Sequence, residues 1–316
     1  MNSSPAAPPP SGHSSHSRLE ALLRQGRFVV TAEMAPPDSA DPEDVLAAAQ
    51  PLVGAVDAIN ITDGSSANVH ISSVAASAIL VRAGLSPIMQ MTCRDRNRIA
   101  MQADILGAAA LGVDTVLCLT GDGVQAGDHP EAKPVYDLDG LTLVQLVRTL
   151  RDEKRFLSGR PLRRQPDMFI GAPENPFAPP LDARPQRLLA KINAGAQFVQ
   201  TQYCYDVSLL RAFMDRVRDL GLDRRVFILV GVGPLASAKA ARWMCNHVPG
   251  VHIPEAVISR LEGAQDPAAE GRRLCVELMQ QIREIEGVAG LHVMAYRQEK
   301  WVGELIRQSG IAADRR

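Results

Sequence analysis

The chain has 316 residues, 46% of them hydrophobic, and a formal net charge of −1, enough apolar material for one large core. A near-neutral balance excludes an extended nucleic-acid surface, which needs a basic stripe, and no segment has the ~20 consecutive apolar residues of a membrane helix. Five scattered cysteines (Cys93, Cys118, Cys204, Cys245 and Cys275) form no CxxC pair, so a disulfide framework or zinc ribbon is not indicated; buried free thiols in a reducing cytoplasm are.

Residues 1–17 are rich in Ser, Pro, Ala, Gly and His, with none of the apolar stretch of a secretory signal, and read as a disordered tail. From residue 18 to 316 short apolar runs alternate with longer amphipathic stretches. Strands are predicted at 27–33, 58–62, 87–92, 115–120, 168–172, 198–202, 226–231 and 290–294. Helices are predicted at 41–53, 70–83, 96–111, 140–154, 184–194, 206–220, 236–246, 254–262 and 268–286. Asp41-Pro42-Glu43 gives one helix a cap with Pro at its first position. Ala83-Gly84, Leu111-Gly112, Ala194-Gly195 and Leu220-Gly221 end others just before a strand.

Eight strand–helix repeats describe an α/β fold of the (β/α)8 TIM-barrel type in a single domain. A doubly wound dinucleotide-binding sheet would carry Gly-x-Gly-x-x-Gly after its first strand. Here Gly121-Asp122-Gly123 follows the fourth strand and lacks the third glycine.

Barrel active sites form at the C-terminal ends of the strands. Those ends read Glu33, Thr62-Asp63, Gln90-Met91-Thr92, Thr120-Gly121-Asp122, Glu174-Asn175, Gln202-Tyr203, Gly231 and Tyr296-Arg297. Glu33 closes the run Phe28–Met34 just before Ala35-Pro36-Pro37, which places its carboxylate at the mouth, half out of water, where a Glu holds its proton more readily. Asp122, from the fourth strand, would face it across a mouth roughly 10 Å wide. Two carboxylates in unlike settings divide acid and electrostatic roles. Arg184, Arg187 and Lys191, spaced three and four apart, make a basic helix face suited to a pyrophosphate. His292, inside the last strand, reads as a core histidine, and Trp243 and Met244 as core or subunit contacts. A metal-dependent barrel lyase would need His, Asp or Glu at ligand spacing, which is missing.

The motifs Thr31-Ala32-Glu33-Met34-Ala35-Pro36-Pro37, Leu119-Thr120-Gly121-Asp122 and Gln200-Thr201-Gln202-Tyr203-Cys204-Tyr205-Asp206 resemble methylenetetrahydrofolate reductase, in order and spacing, over about residues 20–310. The stretch Gly127–Asp139 with Asn175-Pro176-Phe177-Ala178-Pro179-Pro180 is similar to one branch of that family, which includes reductases of one-carbon catabolism and acetogenic metabolism. The resemblance implies flavin-dependent reduction of 5,10-methylenetetrahydrofolate to 5-methyltetrahydrofolate, with FAD as cofactor and NADH or NADPH as electron donor, or the same reaction run in the oxidative direction. It implies Glu33 as the acid that protonates N10, Asp122 as the charge that steadies the cation and tunes the flavin, and Gln202 as a hydrogen-bond partner of the pterin, with Tyr203 beside it. It implies flavin contacts from Thr62, Gln90, Thr92, Thr120, Gly121, Asp122, Ala172, Asn175, Arg184, Arg187 and Lys191. The chain departs from the better-known branch at Gln90 (His there), Thr120 (Arg) and Ala172 (Tyr), and has Arg297 near a common Asn. The alternative is a folate-binding or assembly subunit of a one-carbon complex without productive flavin binding. Small-molecule partners, a cytoplasmic location and self-association into a homo-oligomer complete the expectation.

Overall fold

The computed structural model describes residues 12–248, 250–295 and 298–311; Tyr296 and Arg297, expected at the mouth, lie outside the described residues, as does most of the expected tail. Eight parallel strands close into a barrel in sequence order: β1 (Val29–Met34), β2 (Ala58–Ile61), β3 (Pro87–Thr92), β4 (Thr115–Leu119), β5 (Phe169–Glu174), β6 (Phe198–Tyr203), β7 (Phe227–Val232) and β8 (Val288–Val293). The TIM-barrel reading holds, with strand boundaries shifted by at most two residues.

A closed parallel sheet puts alternate residues on opposite faces. On β1, Val30, Ala32 and Met34 pack outward into the layer between strands and helices, while Val29 belongs to the interior. The interior floor is a separate apolar cluster of Val29, Ala58, Ile88, Leu117, Phe169, Phe198, Phe227 and Leu229. Phe169 and Phe198 stack with ring centroids 4.7 Å apart. Gly171 makes this possible, because a Cβ there would stand 2.2 Å from the Phe198 ring.

The floor is sealed by a helix the sequence reading did not assign, α1 (Arg18–Arg24), whose Leu19 and Leu23 join the interior cluster. Ser17 caps α1 and its hydroxyl lies 2.8 Å from Thr115 Oγ1 at the start of β4. Just ahead of it, His13 Nε2 lies 2.6 Å from Asp167 Oδ1, so contacts with the barrel begin before the expected boundary at residue 17.

The outer ring is α2 (Pro42–Ala49), α3 (Ser73–Arg82), α4 (Arg98–Ala110), α5 (Gly140–Asp152), α6 (Arg184–Ala194), α7 (Val207–Asp219), α8 (Ala238–His247), α9 (Glu255–Glu262), α10 (Pro267–Arg283) and α11 (Val302–Gln308). The caps follow the sequence: Asp41 accepts from Glu43 N at 3.0 Å with Pro42 at the first turn. Asp139 and Thr142 form a reciprocal capping box on α5. The helix expected over 41–53 breaks at Ala49 into a 3-10 turn, Gln50–Leu52, where Pro51 withdraws a backbone donor. Helix α11 was also unassigned; it buries Val302, Leu305 and Ile306. Cys93, Cys118, Cys204 and Cys275 are buried free thiols and Cys245 is exposed. Among the described residues no helix is long and apolar enough to cross a membrane.

Leu19→Ala removes a buried side chain from the floor and should lower unfolding stability by about 2–5 kcal/mol. The measurement is a urea midpoint at unchanged slope; an unshifted midpoint would show that α1 does not seal the barrel.

Candidate active site at the barrel mouth

A cleft of about 670 Å³ opens over the C-terminal ends of the strands. Its wall includes Glu33, Thr62, Gln90, Thr92, Thr120, Gly121, Asp122, Asn175, Arg184, Arg187, Lys191 and Gln202, twelve of the side chains singled out from sequence. Ala172 and Tyr203 are not brought to it. Ala172 packs outward among the helices, and Pro173 takes the cleft wall at the end of β5. Tyr203 follows an inward-facing residue and points away; its ring stacks on Tyr205 and its hydroxyl donates to Met294 O at 3.1 Å. Burial and then the nearby Glu33 carboxylate push the Tyr203 phenol well above its ordinary pKa, so it stays protonated.

Glu33 is partly exposed at the cleft, its carboxyl oxygen Oε2 accepting from Gln90 Nε2 at 3.2 Å and lying 3.8 Å from His292 Nε2. Gln90 is therefore a partner of the carboxylate. Beneath it lies a polar layer in an otherwise apolar interior. Gln200 Nε2 donates to Thr31 Oγ1 and to Asn60 Oδ1, both at 3.0 Å, and Asn60 Nδ2 donates back to Gln200 Oε1 at 2.6 Å. Thr31 Oγ1 is 3.0 Å from His292 Nδ1. All four side chains are buried, so each needs these bonds. Sequence reading missed this layer. Its signal was available: Thr31, Asn60 and Gln200 stand two residues before the mouth positions Glu33, Thr62 and Gln202 and share their face of the strand.

Strand β6 carries an irregularity against β7, between Gln200 and Tyr203. Thr201, Gln200 and Gln202 all reach the cleft as a result, and Thr201 Oγ1 accepts from Gly231 N at 2.9 Å. Gln202 Oε1 accepts from Tyr203 N at 3.0 Å.

The opposite wall is built by the loops after β2, β3 and β4. Asp63 is buried and accepts from Thr92 N (2.8 Å), Thr92 Oγ1 (2.9 Å) and both terminal nitrogens of Arg96 (2.6 and 3.0 Å). Arg94, also buried, donates to Gly64 O at 3.0 Å. Asp122 lies in an exposed turn, its carboxylate accepting from Ser66 N at 3.1 Å and its carbonyl from Tyr136 Oη at 2.8 Å. Gly121 has φ +95°, and a Cβ there would meet Thr92 Cβ at 3.0 Å. Ser66, Ala67 and Tyr136 also have positive φ, so backbone strain gathers at this rim. Thr62 Oγ1 is buried at the cleft wall and has no hydrogen-bond partner among the described residues. Thr120 Oγ1 accepts from Gly140 N at 2.9 Å.

The basic face of α6 is mostly engaged within the chain. Arg184 donates to Pro179 O at 2.9 Å, and Lys191 Nζ sits 2.9 Å from buried Glu174 Oε2. Arg187 is exposed, with no ion pair to the described residues. Asn175 ties its loop to Gly250 O at 3.1 Å, and Phe177 is packed in the core. Among the described residues no group of three or more His, Cys, Asp or Glu is placed to hold a metal ion.

Residues 18–310 match the family model described as "Methylenetetrahydrofolate reductase". A "Probable methylenetetrahydrofolate reductase (NADPH)" of Caenorhabditis elegans is 24% identical over 76% of this chain and 34% of its own length. "Methylenetetrahydrofolate reductase 1" of Schizosaccharomyces pombe is 27% identical over 71% of this chain and 35% of its own. The chain thus spans about a third of those two relatives. A "5,10-methylenetetrahydrofolate reductase" of Pectobacterium carotovorum is 24% identical over 92% of this chain and 93% of its own. Among solved structures, an "Uncharacterized protein from Clostridium thermocellum" that "binds two copies of 5-methyl-5,6,7,8-tetrahydrofolic acid" shares the fold, with TM-score 0.63 and 16% identity over 94% of this chain and 99% of its own.

Asp63→Asn keeps the shape of the rim but takes from Arg96 its buried carboxylate partner, leaving the more exposed Asp104 at 2.9 Å, and should cost roughly 1–3 kcal/mol. Denaturant titration checks this, and a loss below about 1 kcal/mol, the worth of an exposed pair, would show that the pair is not a buried support.

Proposed function

Because the chain belongs to the methylenetetrahydrofolate reductase family, we propose that it reduces 5,10-methylenetetrahydrofolate to 5-methyltetrahydrofolate with FAD as cofactor and NADH or NADPH as electron donor. The observation that carries this reading is the Glu33 carboxyl at the cleft wall, hydrogen-bonded to Gln90 and 3.8 Å from His292, in the same cleft as Asp122 and Gln202.

The donor set fits a flavin. Thr62 Oγ1 is an orphaned buried hydroxyl that a ligand in the cleft would satisfy. Gly121, at φ +95° and packed against Thr92 and Arg94, sets the path of the β4 loop along the cleft rim. Arg187 offers a pyrophosphate a guanidinium that makes no ion pair among the described residues, and Lys191 can turn to the same anion from Glu174. Leu117, Leu119 and Leu141 supply an apolar wall. A bound reduced flavin supplies hydride.

The protein's part is proton transfer and charge stabilisation. Glu33, protonated, gives its proton to N10 of the bridged folate as the bond between N10 and the one-carbon unit breaks. The electrons of that bond leave with N10, and N5 and the methylene carbon become a cationic iminium, which accepts the hydride. The carboxylate of Asp122 offsets the positive charge, most strongly once substrate has expelled water from the cleft. The amide of Gln202 matches a pterin edge, which offers both donor and acceptor. Lacking any proton donor at residue 33, the ring would stay closed to hydride.

Glu33→Gln preserves size and removes the transferable proton. Folate reduction should fall by about 10²–10⁴-fold, while oxidation of the nicotinamide nucleotide with an artificial acceptor is spared. The two half-reactions are followed separately in the flavin spectrum. Equal loss of both would remove Glu33 from its role; a colourless protein that binds folate but takes up no FAD would favour the non-reducing subunit.

A further inference from the structure

A second cleft lies at the end of the barrel opposite the mouth, where β1, β2 and β3 begin, between α1, α11 and the turns that lead into β2 and β3. It also measures about 670 Å³. That size falls within the roughly 300–1,000 Å³ of small-molecule sites. Leu22 of α1, Leu52, Leu85 and Ile306 of α11 give it an apolar wall. Three guanidinium groups line it from three separate segments: Arg18 from α1, Arg27 from the turn before β1, and Arg307 from α11. Arg18 is exposed and makes no hydrogen bond or ion pair among the described residues. Arg307 pairs with Glu304 of its own helix, a solvent-facing pair of the kind that holds a side chain only weakly. The carboxylate in this lining is Asp57, whose Oδ2 accepts from Val30 N at 2.8 Å. In a chain of net charge −1, three cations against one carboxylate are a local excess. Gly54 and Gly84 stand at φ +73° and +75°, and a Cβ at either would meet nothing within 4 Å, so bare backbone forms the lip there. Ser86 adds a hydroxyl that makes no hydrogen bond to the described residues.

We propose that this cleft is a second ligand site, for an organic phosphate of nucleotide size: Arg18, Arg27 and Arg307 take a multivalent anionic head, and Leu22, Leu85 and Ile306 seat an apolar body. The inference goes beyond the reaction at the mouth and does not rest on it. A guanidinium fork suits phosphate because it presents two parallel N–H bonds to two oxygens. A single carboxylate occupies one fork, whereas a diphosphate has oxygens enough for several. The apolar wall sets the site apart from a patch that merely collects counter-ions, since an inorganic anion gains nothing by covering it. Binding also draws Arg307 from Glu304 and joins α1, which seals the barrel floor, to α11. A ligand held only by the folded chain stabilises it by mass action.

The test is calorimetric titration of the full chain at low salt with ADP, adenosine and pyrophosphate as probes. ADP should bind, and adenosine and pyrophosphate should each bind at least about 10-fold more weakly, because each lacks one half of the recognition. Arg18→Gln and Arg307→Gln, made separately so that one folded variant suffices, should each weaken ADP by about 10- to 100-fold, the loss of a charge-assisted contact. Added salt should weaken it further. Arg187→Gln removes the competing cation at the mouth and should retain this binding. Three results overturn the proposal: no binding of ADP, ADP binding that disappears with Arg187→Gln while ignoring the two lower arginines, or pyrophosphate that binds as well as ADP, which makes the cleft a plain anion patch. None of these readouts uses folate reduction, so a wild type that reduces no folate counts against the reaction at the mouth and leaves this site to be decided by the titration.

Discussion

A closed parallel barrel forces one side chain in two from every strand into a shared interior, with no solvent to satisfy what lands there. In this chain the lower interior is apolar and the level above it is not: Thr31, Asn60, Gln200 and His292 meet under the mouth. Buried polar groups of this kind are tolerated only as a completed network, and a completed network has one geometry. That constraint sets where Glu33 sits. Gln90 reaches it from β3 and His292 approaches it from β8, so the carboxyl is defined by three strands and not by a loop.

The rest of the mouth follows a division of labour. On the side of β2 to β4, Asp63, Arg96 and Arg94 are spent on structure, and the strained turns at Ser66, Ala67 and Tyr136 are pinned by bonds to Asp122. On the side of β5 and β6, cations and amides line the cleft: Lys191 on Glu174, Arg187 without an ion pair among the described residues, and Gln202 on the same face as Gln200. Rigid support next to adaptable ligand groups is what a site needs to hold reacting atoms in register. The exposed turn of Asp122 is compatible with a charge that acts through space, since such a charge gains strength only when a ligand displaces water from around it.

Much of this was legible in the amino-acid order. Apolar runs bounded by glycine-ended helices gave eight strands, and the polar residues at their ends gave most of the cleft wall. Where the structure places a residue differently, the cause is physical. Ala172 and Tyr203 are at strand ends, but alternation puts each on the face opposite its neighbour, and the ends alone do not fix that phase. Helix α1 is seven residues beside a Ser- and His-rich stretch, too short to show periodicity, and forms because the barrel floor needs Leu19 and Leu23. Strand β8 begins at Val288, two residues before the expected start at Gly290, and the close approach of Val29 O leaves room for no side chain at Gly290. His292 looked like core, and it is buried, with its Nδ1 3.0 Å from Thr31 Oγ1.

The central claim is that the acid at the end of β1 stands beside the amine that leaves the one-carbon bridge. A crystal structure of the FAD-loaded protein with 5-methyltetrahydrofolate tests it most directly. The account predicts N10 of the folate within hydrogen-bond distance of a Glu33 carboxyl oxygen, and the pterin on Gln202. A folate whose N10 lies away from Glu33, with that carboxyl turned to solvent or closed off behind Gln90, would contradict it.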